Sequence, residues 1–156
     1  MVMARHSGRF RPALERDIDG IVALMRRYYA EDGYPFDDAE ARRALRELIE
    51  TDSLGRVWVA EDAGAVIGYL AVTLGFSLEY RGRDAFIDEL YIATDHRGRG
   101  LGREALNLAQ RYCREQRVKA LHLEVERHRA AAREPYRRVG FEDHARGLMT
   151  IWLDPA

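Results

Sequence analysis

The segment RGRGLG, residues 97–102, lies between a predicted strand and a predicted helix, and it constrains the chain more than any other feature. Three of its six residues are glycine. Glycine lets the backbone curl tightly and approach a ligand closely. The first backbone N–H groups of a helix lack intrahelical acceptors and carry positive partial charge. The segment therefore predicts a turn that binds a phosphate-bearing ligand.

Two common phosphate-binding patterns are excluded by the residues of this turn. The P-loop needs a lysine and then serine or threonine after its last glycine, whereas Arg103 and Glu104 follow Gly102. The dinucleotide pattern would need glycine at position 103 if it began at Gly98, and it normally follows the first strand of a parallel sheet. Neither nucleotide-binding mode fits the residues or their place in the chain.

Strands and helices alternate on both sides of the turn. Helices are predicted from apolar spacing at about 18–29, 38–49, 101–112 and 129–138. Strands are predicted at 9–13, 56–62, 65–76, 84–92 and 118–126, with a bent hairpin over 140–153. This order indicates an α+β fold. We find no repeat and no proline-rich linker, so a single domain over 1–156 is expected.

Composition narrows the classes of partner and cofactor. The chain of 156 residues has 25 basic and 26 acidic side chains, and a net charge of −1 argues against a nucleic-acid binder. Cys113 is the only cysteine, which excludes an internal disulfide and a cysteine metal cluster. No histidine pair has metal-ligand spacing, and no apolar run reaches the ~20 residues of a membrane span. We expect no metal, no nucleic-acid or membrane partner, and a cytoplasmic location, because the first residues also lack an apolar signal region.

The turn fits the pattern Arg/Gln-x-x-Gly-x-Gly/Ala, as Arg97-x-x-Gly100-x-Gly102. The strand ELYIATDH precedes it, and PYRRVGF follows at 135–141. With these flanks the chain, from about Phe10 to Leu153, resembles the GNAT superfamily of N-acetyltransferases. The resemblance implies a mixed, mostly antiparallel central sheet flanked by about four helices. It also implies acetyl-CoA as cosubstrate and an amine as acceptor.

The resemblance assigns cosubstrate binding to the turn and to the strand before it. Backbone amides of the turn would hold the pyrophosphate of acetyl-CoA, and the strand would bond the pantetheine arm and the acetyl carbonyl through its main chain. The matching strand residues are Leu90, Tyr91 and Ile92. The matching turn residues are Arg97, Gly98, Arg99, Gly100, Leu101 and Gly102, followed by Arg103.

Tyr136 matches the tyrosine that often protonates the departing CoA thiolate in this superfamily. Two departures weaken this match: Arg129 stands where the family often has asparagine, and Pro135 directly precedes the tyrosine. Proline inside a helix removes a hydrogen bond and causes a kink. A packing role for the Tyr136 ring is the structural alternative.

Asp88 and Glu89 are the candidate bases for the acceptor ammonium. Strand alternation would place Asp88 with Leu90 and Ile92, and Glu89 with Tyr91, so only one carboxylate would enter the cleft. Glu89 is favoured slightly, because a Glu-Leu pair recurs at this place in the family. A water chain without a dedicated base, and carboxylates that merely hold a loop, stay open as alternatives.

The acceptor itself is not selected by the sequence. The segment YYAEDGYPFDDAE, residues 28–40, carries five acids and no base. It would suit a cationic amine, either a small molecule or a peptide. The alternative is a solvated loop with helix caps. Residues 77–83 are a second candidate wall. Direct transfer is preferred to a Cys113 intermediate, because a buried helical cysteine is usually inert. A homodimer is compatible with the resemblance.

Two other functions remain as alternatives. The first is a catalytically weak CoA sensor or partner-binding module on the same fold, favoured by Arg129 and Pro135. The second is a nucleic-acid binder that uses the arginines at 97, 99, 103, 111 and 114, against which the near-zero net charge argues.

Overall fold

A five-stranded sheet organises the first part of the chain in the computed structural model, which describes residues 9–154. The strands lie in chain order: β1 (Phe10–Pro12), β2 (Gly55–Asp62), β3 (Ala65–Ser77), β4 (Gly82–Ile92) and β5 (Ala120–His122). Neighbouring strands are antiparallel except β5, which runs parallel to β4. The sheet and its helices confirm the predicted α+β fold with a mostly antiparallel sheet.

Residues 9–154 contain four α-helices: α1 (Ile18–Asp32), α2 (Asp38–Glu50), α3 (Leu101–Glu115) and α4 (Glu134–Arg138). The buried residues of α1 share a core with alternate residues of β2 and β3, namely Val57, Val59, Tyr69 and Ala71. We call this side of the sheet the α1 face. The opposite side carries α3, since Trp58 of β2 packs edge-on against Tyr112 with ring centroids 5.0 Å apart. We call it the α3 face.

A β-bulge interrupts the pairing of β3 with β4. Ala71 lies opposite Glu89, and the next residue, Val72, lies opposite Ile87, so Asp88 has no cross-strand partner. One extra residue reverses the alternation of side chains beyond it. Phe86, opposite Thr73, therefore shares the α1 face with Glu89.

The β5 strand is much shorter than the predicted 118–126. It pairs with β4 only between Asp84 and Phe86. Beyond Phe86, the β5 side of β4 borders no other strand among residues 9–154. This leaves an open backbone edge along the second half of β4. The strand ends at Ile92, and the 3-10 turn Thr94–His96 connects it to the glycine turn.

The described chain divides into two compact units, 9–124 and 125–154. In the second unit, the predicted helix 129–138 is a 3-10 turn, Ala130–Arg133, followed by α4. The expected kink at Pro135 is wrong, because proline occupies the first turn of α4, where its missing N–H breaks no bond. A single domain over 1–156 stays a prediction.

The predicted hairpin at 140–153 is also wrong, because residues 141–154 contain no strand. A strand needs a neighbouring strand for its backbone hydrogen bonds, and sequence alternation alone does not supply one. None of the helices within residues 9–154 combines the length and apolarity that crossing a bilayer would require.

Candidate active site

The glycine turn starts α3 with a backbone that only glycine adopts easily. Gly98 and Gly100 have φ angles of 76° and 82°, in the left-handed region, and Gly100 is the N-cap of α3. A Cβ placed on Gly98, Gly100 or Gly102 would meet no atom within 4 Å. The space into which a side chain at any of the three positions would extend is therefore open, which leaves room for a ligand beside the turn.

Arg9 holds the turn from the other end of the chain, a contact that the sequence pattern did not reveal. Its Nη2 donates to the carbonyl of Arg99 at 2.6 Å, and its backbone N–H donates to Glu104 Oε1 at 2.5 Å. The first residue of the sheet region and the first turn of α3 are thus tied together.

Arg97 links the turn to α1. Its Nε donates to the carbonyl of Ile92 at 2.9 Å, and its Nη2 lies 3.3 Å from Glu31 Oε2. The guanidinium also stacks 5.2 Å from the ring centroid of Tyr91, whose hydroxyl donates to Glu31 at 2.6 Å. These bonds lower the pKa of Glu31, with the Tyr91 hydrogen bond as the largest cause. The predicted phosphate ligand Arg97 is therefore already shared with a carboxylate.

The open edge of β4 presents the backbone of Ile92 and Leu90. The N–H of Ala93 donates to Ile67 on the β3 side at 2.8 Å. Because successive residues of a strand direct their backbone groups to opposite sides, Ile92 and Leu90 face the open side. The main chain of Tyr91 faces β3 instead, and its hydroxyl donates to Glu31. Cosubstrate binding by Leu90, Tyr91 and Ile92 stays a prediction.

Glu89 lies on the α1 face between two tyrosines. Its Oε2 accepts from the Tyr29 hydroxyl at 2.5 Å, and its Oε1 accepts from the Tyr69 hydroxyl at 2.7 Å. Burial raises the pKa of Glu89, while the two hydrogen bonds oppose that rise. Burial and the neighbouring carboxylate raise the pKa of Tyr29 and of Tyr69, so both remain protonated donors.

Asp88 lies at the bulge, and its carboxylate makes no hydrogen bond or ion pair within residues 9–154. It opens to solvent, yet the protein around its carboxyl raises its pKa by desolvation. Its charge also raises the pKa of Glu89 and of Tyr29, so the two carboxylates interact. The bulge interrupts strict alternation at Asp88, so alternation alone does not determine which face its carboxylate takes.

Comparison with known proteins identifies the family of this chain. The sequence profile of the Acetyltransferase (GNAT) family matches residues 21–141. The chain belongs to this family. It is 29% identical to an uncharacterized N-acetyltransferase of Methanocaldococcus jannaschii over 140 residues, which are 88% of this chain and 61% of that protein. The chain thus spans about three fifths of that relative's length.

Solved structures agree with the GNAT assignment. An integron cassette protein from the mobile metagenome of Cole Harbour Salt Marsh aligns with a TM-score of 0.84 and 32% identity, over 99% of this chain and 98% of that one. A predicted acetyltransferase from Clostridium acetobutylicum, solved with acetyl-CoA, aligns with a TM-score of 0.76 and 21% identity, over 91% and 94% of the two chains. The predicted GNAT fold is confirmed.

Tyr136, the expected acid of this GNAT protein, lies in α4 of the second unit. Its ring packs edge-on against Phe141 with centroids 6.1 Å apart, and burial raises its pKa. The ring therefore does pack locally, as the structural alternative proposed, and its hydroxyl stays protonated at neutral pH. Its role as acid stays a prediction.

The acidic segment 28–40 is largely neutralised. Asp37 caps α2 by accepting from the Glu40 N–H at 3.0 Å, and Asp38 pairs with Arg26 and Arg42. Glu40 pairs with Arg43 at 2.8 Å. The helix-cap interpretation therefore holds for Asp37, whereas Asp38 and Glu40 are paired with arginines of α1 and α2. The carboxylates that face the site are Glu31, Asp88 and Glu89.

Proposed function

We propose that this protein transfers the acetyl group of acetyl-CoA to a primary amine by direct attack in a ternary complex. One observation carries the proposal: the open edge of β4 runs from the glycine turn at the start of α3 back to two interacting carboxylates at its bulge. The turn would bind phosphate, and the carboxylates, on the strand that leads to the turn, would accept a proton. The acetyl-CoA in the Clostridium acetobutylicum relative supports the choice of cosubstrate.

The turn and the β4 edge would bind the cosubstrate. Backbone amides at the start of α3 suit a pyrophosphate, with Arg99 and Arg103 adding positive charge. Acetyl-CoA supplies the activated acyl group and a thiolate leaving group. The N–H of Ile92, on the open edge, suits the oxygen on which negative charge develops during attack.

Proton removal from the acceptor is the task of the carboxylates. An alkyl ammonium has a pKa near ~10.4, so deprotonating it at neutral pH costs about 4–5 kcal/mol. Both oxygens of Glu89 already accept a tyrosine hydrogen bond, whereas the carboxyl of Asp88 accepts none within residues 9–154. We therefore assign proton acceptance to Asp88, whose pKa is raised by burial, and to Glu89 a neighbouring position held by the two tyrosines.

Bond changes in the step are as follows. The amine nitrogen forms a bond to the acetyl carbonyl carbon, and the bond from that carbon to the CoA sulfur breaks. One ammonium proton passes to Asp88 before the attack. The leaving thiolate takes the proton of Tyr136, and the second proton, which the nitrogen loses as the amide forms, restores the Tyr136 hydroxyl. Cys113 is buried with a pKa raised by burial to about 11, which supports direct transfer rather than an acetyl-cysteine intermediate.

Thiol release from acetyl-CoA tests the proposal against a panel of amines and peptides. We expect free CoA to appear with at least one primary amine, and calorimetry to show CoA binding. Absence of CoA binding at millimolar concentration would overturn the proposal. Binding without turnover across the panel would instead favour a CoA-sensing module.

Tyr136→Phe tests the acid. The variant keeps the ring that packs against Phe141 and loses only the hydroxyl. We expect a lower transfer rate, by about 10–100-fold, with unchanged affinity for CoA. Full activity in this variant would remove Tyr136 from the mechanism.

A further inference from the structure

A second cluster of polar and aromatic side chains lies where β5 joins β4. His122 Nε2 is 3.3 Å from Asp84 Oδ2. The imidazole lies between two rings, with centroid distances of 4.6 Å to Tyr80 and 4.9 Å to Phe86. None of these four residues takes part in the mechanism proposed above.

The β-bulge places this cluster on the same face as Glu89. Phe86 and Asp84 lie opposite Thr73 and Gly75, which share a side of β3 with Ala71, the partner of Glu89. His122 is the register partner of Phe86 on the parallel strand β5. Without the bulge, Ala85 and Ile87 would occupy the α1 face, but they are buried toward the α3 face.

Asp84 is nearly buried, with 14% of its side chain exposed, yet it accepts no hydrogen bond within residues 9–154. Gly75 makes room for it, because a Cβ at Gly75 would lie 2.8 Å from Asp84 Oδ1. Carboxylates this far from solvent normally have a donor or cation as partner. His122 lies at ion-pair distance from Oδ2, whereas Oδ1 has no side-chain partner within residues 9–154, so the carboxylate can accept a further cation.

The aromatic rings supply the other half of a cation site. Phe86 keeps 39% of its surface exposed, so one ring of the cluster is open to solvent. Aromatic faces attract ammonium groups, and the attraction grows when the cation is partly desolvated. A carboxylate beside exposed aromatic rings suits an alkyl ammonium better than an anion or a neutral group.

The geometry points to a distal acceptor subsite: Asp84, with Phe86 and Tyr80, binds a second ammonium group of an extended, linear polyamine acceptor. This inference rests on the proposed function. Asp84 and Asp88 are four residues apart on one strand, so the two carboxylates lie roughly 10–13 Å from each other at the usual rise per residue. The reacting amine would occupy the end at Asp88, and the second ammonium the end at Asp84.

Steady-state kinetics with three amines tests the subsite. Spermine is long and carries distal ammonium groups, octylamine is long but has a single amine, and putrescine is short. We expect Asp84→Asn to raise the KM for spermine by about tenfold, and to leave its kcat and both constants for the other amines unchanged. Asp52→Asn serves as control, because Asp52 is an exposed carboxylate paired with Arg56 at 3.7 Å. Melting temperatures of both variants check folding.

Calorimetry with spermine separates failure of the subsite from failure of the proposed function. Two results overturn the subsite and leave acetyl transfer standing. The first is that octylamine is acetylated as efficiently as spermine, and the second is that Asp84→Asn has an equal effect on both amines. Spermine binding that is lost in Asp84→Asn supports the subsite even where no amine is acetylated. No spermine binding by the unaltered protein, in calorimetry and in kinetics, overturns the subsite. Should Asp84→Asn fold poorly, Phe86→Leu replaces it, with the same selective rise in KM expected.

Discussion

The glycine turn at 97–102 and the acidic segment at 28–40 both carry an obvious sequence pattern. In the structure, the turn has the tight backbone conformation that its glycines predict, whereas the segment does not keep the free negative charge that its acids predict. The turn depends on backbone conformation, and Gly98 and Gly100 do hold left-handed angles. The acidic segment depends on net side-chain charge, and arginines from α1 and α2 pair with its acids.

The difference shows which sequence patterns are informative alone. The backbone conformation of a glycine with positive φ depends on the glycine itself and on its neighbours in sequence. The sequence pattern is therefore enough to predict it. Whether an acidic side chain is neutralised depends on its ion-pair partners, and those partners come from elsewhere in the fold. The negative charge that faces the site lies on β4, at Asp88 and Glu89, and not mainly in the acidic segment.

Replacement of Asp88 should give the largest effect. We expect Asp88→Asn to lower kcat by about 100-fold or more, because an amide cannot accept the ammonium proton, with CoA affinity unchanged. Asp38→Asn, in the acidic segment, should leave kcat unchanged, since Asp38 is paired with Arg26 and Arg42. If both variants lost the same fraction of kcat, proton acceptance would be assigned to the acidic segment instead of Asp88.

The pH profile gives a second readout for the same variant. The pKa of Asp88 is raised above its ordinary value, so the unaltered enzyme should lose activity as pH falls through that raised pKa, where the carboxyl becomes protonated. This acidic limb should be absent from the residual activity of Asp88→Asn. A limb that persists unchanged would assign it to Glu89.

Gly100→Val should give the next largest effect, on the turn. A β-branched residue at φ 82° is strained and narrows the space beside the α3 amides, so we expect the Kd for CoA to rise by about tenfold or more. Gly64→Val is the matched control: Gly64 has φ 80° and equally open surroundings, in the turn between β2 and β3. It should destabilise the fold similarly and leave the Kd unchanged, as calorimetry would show.

Glu31→Gln should give the smallest effect, and it tests the link between the two regions. The carboxylate of Glu31 holds Arg97, which could otherwise bind a phosphate. Neutralising Glu31 should therefore tighten CoA binding by about two- to fivefold, less at high salt. Glu40→Gln, which disturbs only a surface pair with Arg43, should have no effect on CoA. Weaker binding in Glu31→Gln would show that the pair positions Arg97 for the ligand.

Much of the fold could be predicted because local signals were consistent. Apolar spacing located α1, α2 and α3 to within a few residues, and alternation located β2, β3 and β4. The bulge at Asp88 could not be predicted, since register depends on both strands. The missing terminal hairpin has the same cause: its segment alternates, but pairing depends on a partner strand. For the site, the motif located the turn, but the tyrosines around Glu89 come from α1 and β3.

The bonds from Arg9 to the glycine turn have a consequence for folding. Arg9 and Glu104 are 95 residues apart in sequence, so this contact closes one of the longest loops in the described chain. Contacts of such separation form late, because their loop-closure entropy must be overcome first. We therefore expect competence to bind CoA to appear only with the complete β1–α3 contact. A folding intermediate that has already formed the β2–β3–β4 meander would still lack the competence to bind CoA. CoA would therefore stabilise the complete fold and not the intermediate.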